Sequence, residues 1–540
     1  MSSHRITTRP PLTKTSAPDI STAPDLLKAV SEDAAHYPYG HAVGVARPTN
    51  ESDVSTLLIE SQSVLPIGAQ SSLTGGATPM GDIVMDMQRF DRILAINQDE
   101  VVVQPGVPLT ILQATLERAG KYYPPVPTFH GAFAGGVVAT NAAGAATFKY
   151  GTTRDWVRKL TVVLANGQVL ELNRGETIAH PDGYFEIISE GLVYHISTPS
   201  YTVPILEKCS AGYFSEPGMD LIDLFIGSEG TLGIITEITF AIIEPTPNLV
   251  LAWIPLPNEQ AALELTWMLR QSAKNAWRDP RASALDVSAI EYLDARCLEI
   301  LREDGTARRH EINLPHESQA ALLVQIELST DSDINTERAY DEISNALGDD
   351  APDTPLTRLC RLLSSTNLLE LSEISLPSDR RRQTQLFSAR EAVPEGVNRR
   401  IAEAKRTQCN SIEKMAADMI VPFERSSESL SVFKNAFQKR QLDYAIWGHI
   451  SDGNVHPNVI PRSAEDVTRG KDAILECGRE IIRLGGSPLA EHGVGRNPIK
   501  QELLRQFVGD NGIEQMKAIK SVLDPMGKLA PGVIFSEPTP

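Results

Sequence analysis

The chain has 540 residues, 41% of them hydrophobic, and carries 50 Lys and Arg against 69 Asp and Glu, a formal charge of −19 at pH 7. That length exceeds a single hydrophobic core and implies two or three domains, while the acidic balance argues against a nucleic-acid partner. No stretch approaches about 18 uninterrupted apolar residues, so no transmembrane segment is expected. Cys209, Cys297, Cys360, Cys409 and Cys477 are scattered and form no CxxC, which argues against iron–sulfur ligation and a disulfide framework and for a reducing, cytoplasmic setting.

In chain order, "MSSHRITTRPPLTKTSAPD" lacks the apolar core of a secretory signal and reads as a disordered tail. "VLPIG" (64–68), "DIVMDM" (82–87) and "VVVQPG" (101–106) read as strands. A helix follows with Leu109, Leu112, Leu116 and Ala119 on one face. "KLTVVLANGQVLEL" (159–172) is a hairpin with Asn-Gly at its tip, and "GIITEITFAII" (233–243) is a strand closed off by Pro245 and Pro247. The second half opens with the strand "LVLAWIPL" (249–256), helical patterns near 258–272 and 287–302, and the strand "ALLVQIEL" (321–328). A polar segment (329–356) interrupts it. A long helical stretch after 380, the strand "DMIVP" (418–422) and closing helices to about 524 complete an α+β pattern.

Between the last two lies "GHISDGNVHPNV" (448–459). With Asp452 and Gly453 at the centre of a type I′ turn, His449 pairs with His456 on one face and Asn458 points to the same side. Two imidazoles so placed can hold one metal ion; the alternative is a polar-faced hairpin with two solvated histidines.

Two glycine-rich stretches, "PIGAQSSLTGG" (66–76) and "GAFAGGVVATNAAGAATFKYG" (131–151), lie in the first half. Each can turn backbone N–H groups toward an anion or can be a tight turn. Neither is a GxGxxG fingerprint or a Walker loop, so a different nucleotide fold is implied.

Three stretches in order, "PIGAQSSLTGG", "GGVVATNAAG" (135–144) leading to "KYG", and "GSEGTLGIITE" (227–237), resemble the FAD domain of the vanillyl-alcohol oxidase/p-cresol methylhydroxylase (PCMH) superfamily. "REAVPEG" (390–396), "DMIVP", "GHISDGNVH", "EHGVGR" (491–496) and "LDPMGKLAPG" (523–532) are similar to one branch, the D-lactate dehydrogenases, glycolate oxidase flavin subunits and D-2-hydroxyglutarate dehydrogenases. The resemblance spans about 38 to 535. It implies an α+β chain with an N-terminal extension (1–37), a two-subdomain PCMH-type FAD-binding domain (38–247), an α+β substrate (cap) domain (248–515) and a C-terminal helical segment (516–540) returning to the FAD domain.

The resemblance also implies roles. Ile67, Gly68, Ala69, Gln70, Ser71, Ser72, Gly135, Gly136, Gly144, Gly151, Ile234 and Ile235 are expected against non-covalent FAD, since no attachment histidine is recognised and His130 reads as structural. Glu229 is expected either at the cofactor or bracing its loop. His449, His456 and Glu491 match the family's metal ligands, a set suited to zinc or manganese. His492 matches its general base. Arg390 would grip a substrate carboxylate, or is a surface helix charge, and Asn458 is expected at the substrate.

Some positions depart from the family. Ala416 and Pro394 stand where members acting on 2-hydroxyglutarate carry Lys and Thr, which disfavours a dicarboxylic acid. Ala530 replaces an Asn that usually lies near the flavin, and Ser451 replaces a common glycine. The expected activity is oxidation of a small D-2-hydroxy acid, D-lactate first, by a homo-oligomer, with electrons passed to a quinone, cytochrome or electron-transfer protein and peripheral membrane association allowed. The rivals are an oxidase of a phenolic or bulkier alcohol and a non-catalytic flavin-binding subunit.

Overall fold

The computed structural model describes residues 3–12, 18–125, 127, 129–244, 248–279, 281–328 and 336–536. Pro245, Pro247 and the start of the polar segment lie outside the described residues. The chain forms two compact units. The first takes Met1–Gly144, Gly151–Pro245 and Leu489–Pro540, the second Ala145–Tyr150 and Thr246–Pro488.

In the first unit, His41–Ala46 and Val64–Ile67 flank Met80–Asp86 in a parallel three-stranded sheet. Asn50 caps the helix Glu51–Glu60 by accepting the Asp53 N–H. This orients Val54, Leu57 and Leu58 onto Val64, Met85 and Leu529, a fully buried cluster. The C-terminal segment extends the sheet edge: Val64 N–H donates to the Lys528 carbonyl and Ala530 N–H to the Val64 carbonyl, each at 2.8 Å. A five-stranded antiparallel sheet runs in the order Ile93–Ile96, Glu100–Val103, Ile234–Ala241, Val157–Val163, Val169–Asn173. Its last hairpin turns at Asn166–Gly167, where Gly167 takes a φ of +80°.

Two expectations change here. Arg5–Thr7, read as tail, is a strand parallel to Tyr184–Ser189, with Ile6 opposite Ile187 and Arg5 paired to Glu186. The return to this unit begins at Leu489, well before 516. Its carbonyl accepts the Ser210 N–H at 3.1 Å, and both Arg496 and Asn497 N–H groups donate to the Thr74 carbonyl at 3.0 Å.

The second unit is an eight-stranded sheet with Val287–Asp294 near its middle, between Ala320–Leu328 and Tyr444–His449. Residues 287–294 were expected in a helix. All eight are buried, and the helix begins only at Ala295, capped by Asp294 through the Cys297 N–H. A strand covered on both faces has no alternating pattern, so its apolar run imitates a helical one. The helix Arg380–Thr407 buries Leu386, Ala389, Val393 and Val397 against Leu298, Leu301 and Trp447. Pro394 lies inside it and lacks the N–H that would close the turn onto Arg390.

Candidate active site

The histidine hairpin forms in a different register. Trp447, not His449, stands opposite His456, and Ala445 stands opposite Asn458. The strands are joined by a turn in which Gly453 N–H donates to the Ile450 carbonyl at 3.2 Å, and Gly453 has a φ of +83°. A Cβ at Gly453 would lie 2.1 Å from the Val421 carbonyl oxygen, so only glycine fits. The Asp452 carboxylate accepts the Asn454 N–H, and the Asn454 amide donates to Asp418 and to the Met419 carbonyl, which fixes this longer turn. The slip is two residues, an even number, so His449 and His456 keep a common face. Their ring centroids are 5.3 Å apart at 89°.

Glu291 stands directly opposite His449 on the neighbouring strand. One of its oxygens is 2.6 Å from His449 Nδ1, and the other accepts from Arg390 Nε at 2.9 Å. A carboxylate at Nδ1 selects the tautomer with its proton there and leaves the Nε2 lone pair to face away. Burial pushes the Glu291 carboxyl up, but Arg390 and then His449 outweigh it and hold it well below the usual carboxylate range. Arg390 is buried, not a surface charge. His456 Nδ1 lies 3.5 Å from Asp418. The Asn458 amide donates to the His456 carbonyl at 2.9 Å. Asn458 Oδ1 and Ser451 Oγ are buried with no hydrogen-bond partner among the described residues.

Two close imidazoles backed by carboxylates suit a divalent metal. From this unit, His456 and Asp418 are placed to share a metal ion, and His449 stands against the His456 ring as the further expected ligand.

In the first unit, Glu491 accepts from the Lys208 ammonium at 2.9 Å, both side chains buried. His492 Nε2 lies 3.4 Å from the other Glu491 oxygen, and its ring is part-exposed. Ile67 ends a strand, and Gly68 to Ser72 form the loop beyond it. The Gln70 amide ties this loop to the Val30 and Ala77 carbonyls, and Ser72 Oγ accepts the Thr74 and Gly76 N–H groups. A Cβ at Gly68 would touch the Phe133 side chain at 3.3 Å, and one at Gly135 would sit 2.5 Å from Pro105 Cβ. At Gly136 it would meet nothing within 4 Å. Bare, unobstructed backbone there suits a flat or diphosphate-bearing ligand such as FAD. Gly144 and Gly151 flank the excursion 145–150, and Ile234 and Ile235 are buried at the start of their strand.

The Glu229 carboxylate accepts the Val494 and Gly495 N–H groups, so it braces a loop. Burial pushes it up to about 7, with those two N–H donors and Lys500 opposing.

Residues 257–534, more than half the chain, match the family described as FAD linked oxidases, C-terminal domain. The chain belongs to that family. Residues 42–173 match a second description, FAD binding domain, which takes in both glycine loops. A D-2-hydroxyglutarate dehydrogenase of Xanthomonas citri pv. viticola is 27% identical over 508 residues, 91% of this chain and 89% of that one. A D-lactate dehydrogenase of Anaerostipes hadrus is 26% identical over 477 residues, 87% of this chain and 84% of that one. Among solved structures, a 4-ethylphenol oxidase from Gulosibacter chungangensis superposes with a TM-score of 0.63 at 16% identity, covering 96% of this chain and 94% of its own. That likeness shows the PCMH-type fold alone. The protein is thus an FAD-binding oxidoreductase of α+β fold. Among the described residues, no helix is long and apolar enough to cross a membrane.

Sequence reasoning did not single out Glu291 or Lys208. A carboxylate in the middle of the apolar run "SAIEYL" was the available signal for Glu291. Lys208, in the irregular stretch "LEKCSAGY", offered none.

Proposed function

We propose that this protein oxidises a small D-2-hydroxy acid, D-lactate first, to the 2-keto acid. The observation that carries the reading is the buried His449–Glu291–Arg390 chain, in which one strand carboxylate holds both a metal-ready imidazole and a guanidinium from the helix Arg380–Thr407. FAD, held by the two glycine loops, would supply the hydride acceptor, with a non-NAD acceptor taking the electrons onward. His449, His456 and Glu491 are the proposed metal ligands, with zinc or manganese as the ion. Such a metal lowers the cost of removing a proton from the substrate hydroxyl.

The remaining steps belong to side chains. Arg390 binds the substrate carboxylate while Glu291 fixes its Nε, so the guanidinium is oriented before substrate arrives. Asn458 presents its unpaired Oδ1 to a substrate hydroxyl or a water. His492 accepts the hydroxyl proton as general base. Ala416 and Pro394 offer no partner to a second carboxylate, which favours a monocarboxylic acid.

An anaerobic panel of D- and L-2-hydroxy acids, followed by loss of flavin absorbance, tests this reading. Bleaching by D-lactate and by short D-homologues supports it. A flavin that responds to none of them makes the chain a flavin-binding subunit instead.

A further inference from the structure

We propose that Glu229 is a positioning residue: its carboxylate clamps the loop that follows His492 and so fixes where that imidazole is presented. This rests on the reading of His492 as general base. The clamp lies wholly within the first unit. One Glu229 oxygen accepts the Val494 N–H at 2.8 Å and the other accepts the Gly495 N–H at 2.9 Å. Two bonds to consecutive amides define both the distance and the tilt of that peptide. Gly493, next to His492, has a φ of +73°, and a Cβ there would sit 2.9 Å from the carboxylate. The carboxylate therefore packs directly on the residue after the imidazole.

The far side of the clamp is equally determined. Glu229 N–H donates to the Ala139 carbonyl at 2.8 Å, tying it to the end of the helix Ala134–Ala139 in the second glycine-rich stretch. Its own φ is +51°, an uncommon conformation for a residue with a side chain, and it persists because both ends are held. A Cβ on Gly76 of the first glycine loop would meet the same carboxylate at 3.4 Å. A Cβ on Gly495 would collide with Thr74 Oγ1 at 2.3 Å. The glycine loop, "GSEG" and "EHGVGR", far apart in sequence, thus meet at one carboxylate. Gly493 and Gly495 are required where these segments approach. A base misplaced by about 1 Å costs on the order of 100-fold in rate, so a residue that fixes its loop has leverage without touching substrate.

The test compares wild type, Glu229→Gln and Glu229→Ala as FAD-loaded full chains. Amide hydrogen exchange of the peptide spanning 493–496, without substrate, is expected to rise about tenfold or more in Glu229→Ala. Gln retains one acceptor and restores part of the protection. Flavin reduction by D-lactate is expected to slow by about tenfold or more with KM little changed and FAD content retained, again partly recovered by Gln. Unchanged exchange at 494 and 495 overturns the clamp whatever the substrate proves to be. Faster exchange with an unchanged reduction rate overturns the positioning role. Loss of FAD from Glu229→Gln assigns the side chain to the cofactor and also overturns the proposal. If Glu229→Ala does not fold, Glu229→Gln carries the same comparisons. Failure of wild type to reduce with any hydroxy acid defeats the proposed function, while the exchange data still decide the clamp.

Discussion

Glu291 and His449, 158 residues apart in the chain, share a 2.6 Å hydrogen bond across adjacent strands, and the other Glu291 oxygen receives Arg390. One buried carboxylate thus orients both a proposed metal ligand and the proposed carboxylate grip. Glu291→Gln keeps an acceptor but removes the charge, and metal affinity is expected to fall by about 10- to 100-fold with FAD retained. Calorimetric titration of metal-stripped protein measures this; equal affinities in the two proteins contradict it.

His449→Ala and His456→Ala are each expected to abolish stoichiometric metal while leaving the flavin spectrum intact. Elemental analysis beside the flavin absorbance separates the two contents. Active wild type without metal, indifferent to chelators, removes the ion from the mechanism.

The glycine loops present backbone rather than an attachment histidine, so FAD is expected to be released by acid. The precipitate should be colourless and the supernatant yellow. A yellow pellet contradicts non-covalent binding.

Asp294 caps its helix through Cys297 and also accepts the Ile446 N–H from the strand that carries His449. Burial raises its pKa from 3.8 to about 6, against those two N–H donors. The folded state therefore holds the proton more tightly than the unfolded state, and this group's contribution to stability falls as pH rises from about 4 to 6. The change amounts to about 3 kcal/mol. Asp294→Asn removes it, so the Tm difference between variant and wild type should move in favour of the variant across that window. Parallel Tm–pH curves contradict the assignment.

Much of the first unit was readable because its strands are short and bounded by Gly and Pro, and because glycine at 68 and 135 answers a steric demand that few other residues meet. The common face of His449 and His456 survived an error in register, since a slip of two preserves the side-chain side. Glu291 was hidden by the buried strand around it. Lys208 and Glu491 are neighbours only after folding, 283 residues apart, and nothing local announces such a pair.

His492→Ala should leave FAD and metal in place and slow flavin reduction by about 100-fold or more. In wild type the reduction rate should rise with pH through a single ionisation. Unchanged reduction in the variant places the base elsewhere.

The proposed reaction is oxidation of a D-2-hydroxy acid. It is tested most directly by anaerobic stopped-flow mixing of the FAD- and metal-loaded protein with D-lactate and, separately, with L-lactate. Rapid bleaching of the flavin by the D-enantiomer and far slower bleaching by the L-enantiomer are expected, because the proposed carboxylate grip and base would accept one hand. Equal rates for the two enantiomers, or a flavin that stays oxidised with both and with every other D-2-hydroxy acid, would contradict it.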